Sequence, residues 1–183
     1  MTAKTAADRL RYAKQYASST ILMAKAYPNS KIIGFDYHRP SIERARKEAE
    51  KEGLKNIAFE VAAADYPGDD YDLVTFFDCF HDMGNPSGAA KHVLQTLKKK
   101  NGTWMLVEPF ANDELKDNLN PLGRLSYSVS SIVCVPASLN ENGPALGAQE
   151  CEEKIKEIAM SAGFSKFRWA TRTQFNLVFE ARP

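Results

Sequence analysis

Between Asp78 and Met83 the chain reads DCFHDM, the densest gathering of reactive side chains in its 183 residues. His81 titrates near neutrality, and a carboxylate beside it, Asp78 or Asp82, could orient the ring and raise its basicity, as removal of a hydroxyl proton requires. The same residue could equally be a hydrogen-bonded structural histidine. Three more acids end apolar runs: Asp36 in KIIGFD, Asp65 in AAADYP and Glu108 in TWMLVE. Asp36 is followed by Tyr37, a pairing suited to a nucleoside: the carboxylate accepts from two ribose hydroxyls while the ring covers an adenine face. A helix N-cap or turn carboxylate is the other reading of Asp36. Asp65 follows three alanines that would let a flat ring approach the backbone, and its carboxylate could accept from an adenine amino group, although Asp before Tyr-Pro is also common turn chemistry.

Other reactive residues carry less. Cys79 lies between acids that disfavour a thiolate and reads as packing. His38 sits in a turn beside Arg39, and His92 lies in an ordinary helix. Ser126, Ser128, Ser130 and Ser131 lack the G-x-S-x-G context of a hydrolase nucleophile. Cys79, Cys134 and Cys151 form no C-x-x-C, and no histidines stand at zinc-ligand spacing, so no metal site is expected and a reducing, cytoplasmic setting is the simplest one.

The elements that must hold these residues alternate between helical periodicity and short β-branched runs, the pattern of a mostly parallel sheet covered by helices. Residues Thr5 to Tyr27 predict one or two amphipathic helices through Leu10, Ala13, Ala17, Ile21 and Ala24, closed by Pro28. Strands are predicted over Lys31–Asp36, Asn56–Ala62, Tyr71–Asp78 and Thr103–Glu108. Helices are predicted from Pro40 to Gly53, Pro86 to Lys99 and Ala148 to Ala162. Lys98, Lys99 and Lys100 then fall in a helical last turn, where cations complement the helix dipole. Phe164–Thr171 and Phe175–Ala181 read as an antiparallel closing pair, because the residues between them are too few for a crossover helix.

Composition bounds the partners. With 24 Lys plus Arg against 23 Asp plus Glu, the formal charge is +1. That balance offers no large field for nucleic acid or an anionic membrane, and neither is expected as a partner. The N-terminal residues lack a signal-like apolar run, and Leu122–Leu139 is too polar to span a bilayer. At 44% hydrophobic and 26% charged residues, the chain is composed as one globular domain able to bury about 70% of its unfolded surface.

In order and spacing, residues 18 to 183 resemble the class I S-adenosylmethionine-dependent methyltransferases. KIIGFDYHRPSIERARKEAEKEGLKNIAFEVAAADYP looks like the second strand with its acid, the helix after it, and the third strand with its Asp. YDLVTFFDCFHDMGNP is similar to the fourth-strand motif, LKKKNGTWMLVEP to the turn and fifth strand, and FNLVFEARP to the last strand. The resemblance implies a three-layer, Rossmann-like α/β fold with a mostly parallel sheet and an antiparallel last strand. It implies S-adenosylmethionine as cofactor: Asp36 on the ribose, Tyr37 bordering the adenine, Ala64 and Asp65 at the adenine edge, and Asp78 flanking the methionine end. FHDM is similar to the H-D-W of small-molecule O-methyltransferases, which would make His81 the base for a small acceptor, and a homodimer is a possible assembly. Residues 1–183 would form one domain, with an atypical helical segment over 1–17 and an insertion or lid over 112–146, where Tyr127, Ile132 and Val133 would form part of an apolar acceptor pocket or lid.

The family's first strand and its G-x-G-x-G loop have no counterpart, since none of the ten glycines forms a G-x-G. That strand is central in the family's sheet order, so its loss implies a slot on the order of 10 Å wide. The neighbouring strands would then close up, the N-terminal segment would refill the slot, or the chain would be part of a longer one. The alternative function is accordingly a truncated, non-catalytic binding or interaction module.

Overall fold

The computed structural model describes residues 18–150 and 152–183; the helical reading of residues 1–17 and Cys151 lie outside them. The first unit is α1 (Ser18–Ala26), β1 (Ile32–Asp36), α2 (Arg39–Lys51) and β2 (Ile57–Val61). β1 and β2 pair in parallel, Ile32 opposite Ile57 and Asp36 opposite Val61. One face of this pair packs on the helices through Ile21, Ile42, Ala45 and Phe59. Gly34 makes that packing possible: a Cβ there would lie 2.7 Å from the Phe59 ring. Gly53, at φ 66°, ends the turn after α2 in a conformation few side chains tolerate.

The second unit is built on β3 (Leu73–Phe77), β4 (Thr103–Pro109), β5 (Lys166–Arg172) and β6 (Asn176–Arg182). The strand order is β3-β4-β6-β5, with β3 and β4 parallel and both β6 pairings antiparallel, as expected for the closing pair. α3 (Pro86–Thr96) and α6 (Glu152–Ala162) cover one face. Trp104, Phe76, Phe164 and Phe179 fill the core between them, ring against ring. Asn85 caps α3 by accepting from Gly88 N at 2.8 Å.

Among the described residues, no ladder joins β1 to β3, so the sheet is in two pieces. Side chains bridge them: Phe35 of β1 stacks on Tyr66 at 5.1 Å, and Tyr66 meets Tyr71 at 5.8 Å. On the α1 side, a cleft of about 1070 Å³ is lined by Leu22, Met23, Leu73, Phe77 and Met105. β3 is therefore only half covered on that face, whereas its uniformly apolar sequence predicted cover on both.

Two helix boundaries differ from the periodicity. α3 stops at Thr96, because Leu97 leaves to bridge Tyr71. The lysines thus follow the helix, and Lys98 pairs with Asp72 at 2.7 Å. α6 starts at Glu152 rather than Ala148; Gly147 N donates instead to His81 O, Ala148 N to Ser130 Oγ and Gln149 Nε2 to Phe110 O. The insertion over 112–146 is largely helical: a short turn at Leu115–Asn118, α4 (Pro121–Val129), a π turn (Ser130–Cys134) and α5 (Val135–Asn140). Val135 N bonds Ser130 O five residues back. Pro136 has no N–H and would clash with the carbonyl four residues earlier, so the wide turn before it relieves that conflict.

Candidate functional site

Asp36 ends β1 and Asp65 follows β2 at the carboxyl end of the first parallel pair, and Asp78 follows β3 and Glu108 lies near the end of β4 at the carboxyl end of the second. At the β1–β2 end, Ala62 N donates to Asp36 O at 3.1 Å. Asp36 is buried, and one of its carboxylate oxygens accepts from His38 N at 2.7 Å, so part of its capacity goes to its own turn. Tyr37 beside it is exposed. A recess of about 580 Å³ is lined by Ala63, Ala64, Asp65 and Met83 and continued by Asn85 and Lys91 of the α3 region; Asp36, Tyr37 and Asp78 do not line it. The small alanine side chains, an acid at their end and the volume all suit a purine.

At the β3–β4 end, Phe80–Asp82 forms a single tight turn that buries His81, only 5% exposed. His81 Nδ1 lies 2.5 Å from Glu108 Oε2, and Glu108 Oε1 accepts from Phe80 N at 3.0 Å. The carboxylate that orients the ring is thus Glu108, neither Asp78 nor Asp82. It comes from the neighbouring strand, which sequence adjacency could not reveal, although its place at a strand end was a usable signal. Burial alone would lower the His81 pKa, but the Glu108 carboxylate and a hydrogen bond with Cys134 override it and push it up to about 11. Cys134 arrives from the π turn, and Gly147 N donates to His81 O at 3.1 Å.

Asp78 follows β3 with a left-handed backbone, φ 46°. Its side chain reaches solvent, yet the surrounding protein and then the Glu108 carboxylate push its pKa up to about 6, against the pull of His81 and of Asn176. Asn176 Nδ2 donates to Asp78 Oδ1 at 2.8 Å, a partner from β6 that the sequence did not single out.

The remaining residues behave structurally. His38 Nδ1 meets Ser41 Oγ at 2.8 Å; His92 Nε2 meets Tyr66 O at 2.8 Å and packs edge-on against that ring. Cys79 is fully buried. The insertion turns its small residues Ser130, Cys134, Ala137 and Ser138 inward, with Ser138 Oγ donating to Met83 O at 2.9 Å. Ile132 stands 75% exposed, Tyr127 also faces outward, and Val133 is half-buried. Among the described residues there is no cluster able to hold a metal ion, and no helix is long and apolar enough to cross a membrane.

Parallel strands joined through helices, with an antiparallel closing strand, make this a Rossmann-like α/β fold. A family model described as a methyltransferase domain matches residues 17–163, and the chain belongs to this family, the class I S-adenosylmethionine-dependent methyltransferases. Over 98 residues it is 29% identical to the uncharacterized methyltransferase YcgJ of Bacillus subtilis, a match covering 51% of this chain and 38% of that protein. The YcgJ structure superposes with a TM-score of 0.66 at 16% identity, covering 99% of this chain and 91% of the other. An O-methyltransferase family protein from Burkholderia thailandensis gives 0.71 at 17% identity, covering 99% and 50%. Human N-acetylserotonin methyltransferase, solved with S-adenosylmethionine, gives 0.68 at 19%, covering 98% and 46%. The chain thus spans about half the length of the Burkholderia and human proteins.

Proposed function

We propose that this chain binds S-adenosylmethionine along the edge bearing Asp36, Tyr37, Ala64, Asp65 and Asp78, and transfers its methyl group to a hydroxyl of a small-molecule acceptor. The observation that carries the reading is the buried His81–Glu108 pair at 2.5 Å, set beside Asp78 at the carboxyl end of the β3–β4 pair. Asp36 would accept from the ribose, Tyr37 and Ala64 border the purine, and Asp65 accept from its amino group. When bound, S-adenosylmethionine supplies an electrophilic methyl on a sulfonium. His81 would take the proton of the acceptor hydroxyl on the ring nitrogen that Glu108 does not hold, while the bound cofactor would give up its methyl group to that oxygen and leave as the neutral thioether. With its proton held up to about pH 11 in the closed chain, His81 serves as base from its neutral form, so the rate rises with pH through the neutral range. Access to a ring so deeply covered requires the helix carrying Cys134 to move aside. Reduced thiols at Cys79 and Cys134 support a cytoplasmic setting, and the near-neutral charge supports a small molecule over a nucleic acid or a membrane surface as partner.

Calorimetric titration with S-adenosylhomocysteine tests the binding, and His81→Gln tests the base. Micromolar binding is expected, with His81→Gln lowering turnover at least ~100-fold while cofactor affinity stays within about twofold. Equal loss of both would make His81 structural. A second reading, a non-catalytic binding module, is favoured by the lack of any G-x-G in the sequence; an absence of heat at millimolar ligand selects it.

A further inference from the structure

We propose that Asn176, the first residue of β6, is a positioning residue of this site: it fixes the Asp78 carboxylate at the place where the sulfonium of the cofactor would meet it. The proposal rests on the cofactor reading above and assigns a role to a strand that contributes none of the residues named there.

The geometry is closely specified. β6 runs antiparallel to β4, so its first residue lies at the carboxyl edge, opposite Pro109. Asn176 is itself held on both backbone sides: its N–H donates to Thr173 Oγ1 at 2.9 Å, and its carbonyl accepts from Thr173 N at 2.8 Å. From there Nδ2 donates to Asp78 Oδ1 at 2.8 Å and to the Glu108 carbonyl at 3.3 Å. Asp78 is anchored by its own N–H on Val107 O at 2.7 Å and carries the left-handed backbone that only a few residue types adopt readily. One amide thus ties the end of β3 to β4 and orients a single carboxylate.

The charged groups facing Asp78 are Glu108 from β4, which repels it, and His81 from the tight turn, which attracts it; Asn176 from β6 is neutral. A neutral N–H donor is the one contact from β6 that can favour the ionised carboxylate without cancelling its charge. An ionised, oriented acid is suited to a sulfonium. S-Adenosylmethionine carries that charge and S-adenosylhomocysteine does not, so comparing the two isolates it.

The test uses the full chain with Asn176→Ala and Asn176→Ser, the latter keeping a short donor. Carboxyl-carbon NMR of the ligand-free proteins should place the Asp78 midpoint ~1 unit higher in the alanine variant, with partial recovery in the serine variant. Affinity for S-adenosylmethionine should fall ~10-fold and that for S-adenosylhomocysteine by less than about threefold. In the Asp78→Asn background, which keeps the backbone conformation accessible, Asn176→Ala should have no further effect on that ratio. An unchanged midpoint, or equal weakening of both nucleosides, overturns the proposal. Failure of the unsubstituted chain to bind either nucleoside overturns the cofactor reading and the proposal with it. Failure of the proposal alone is recognised when the unsubstituted chain binds both and the alanine variant matches it.

Discussion

Glu108→Gln should change how the stability of the protein depends on pH. The His81 pKa is raised from 6.5 to about 11 in the folded chain, so the folded state holds a proton that the unfolded state releases. A raised pKa stabilises fully below the unfolded value and loses that contribution as pH climbs toward the folded one. Between about 6.5 and 11, this group alone takes away up to ~1.4 kcal/mol of stability per pH unit, or up to ~2.7 kcal/mol from pH 7 to 9. Glutamine keeps an oxygen for Phe80 N, now at 3.0 Å from Glu108 Oε1, but removes the charge opposite Nδ1. Urea unfolding at pH 7, 8 and 9 should therefore give a falling free energy in the unsubstituted chain and a much flatter one in the variant. The window stops at 9 because buried Tyr66, whose pKa is also raised, begins to contribute above it. Imidazole-carbon NMR supplies the site-specific reading: His81 should remain protonated at pH 8.5 in the parent chain and lose its proton at far lower pH in Glu108→Gln, where burial still disfavours the charged ring. Parallel pH slopes, or a His81 midpoint near 6.5 in the parent, would refute the electrostatic account of the pair.

Two further outcomes follow from the nucleoside end of the site. Asp36→Ala should weaken S-adenosylhomocysteine binding ~10-fold to 100-fold by calorimetry, the worth of charge-assisted hydrogen bonds to ribose. Asp36→Asn, which still offers an oxygen to His38 N, should weaken it comparably; parent-like binding by the asparagine variant would mean that the carboxylate serves only its turn. Gly34→Ala, whose new methyl falls 2.7 Å from the Phe59 ring, should lower unfolding stability by about 1–3 kcal/mol in urea, and an unchanged midpoint would show that the ring yields freely.

The strands were legible as short continuous apolar runs, as in IIGFD and LVTFF, even though β3 is half open on one face, and the closing hairpin because three residues leave no room for anything but a tight return. The acids at the strand ends followed directly, since parallel strands bring their carboxyl ends together. The pairings among those ends were hidden. Glu108 reaches His81 from 27 residues away and Asn176 reaches Asp78 from 98 away, and only the strand order makes them neighbours. Local pattern also misjudged the end of α3, where the bridge between Leu97 and Tyr71 outweighs helical continuity, and it carried no sign of the insertion's π turn, which depends on a conflict at Pro136.

The seam through the sheet has a consequence for how a ligand would act on the whole molecule. Asp36 belongs to one plate and Asp78 and His81 to the other; the Phe35–Tyr66–Tyr71 rings and the hydrogen bonds of Tyr66 to His92 and Thr96, rather than backbone ladders, join them. A nucleoside gripped at both ends would act as a stitch across the join, and occupancy and rigidity would rise together.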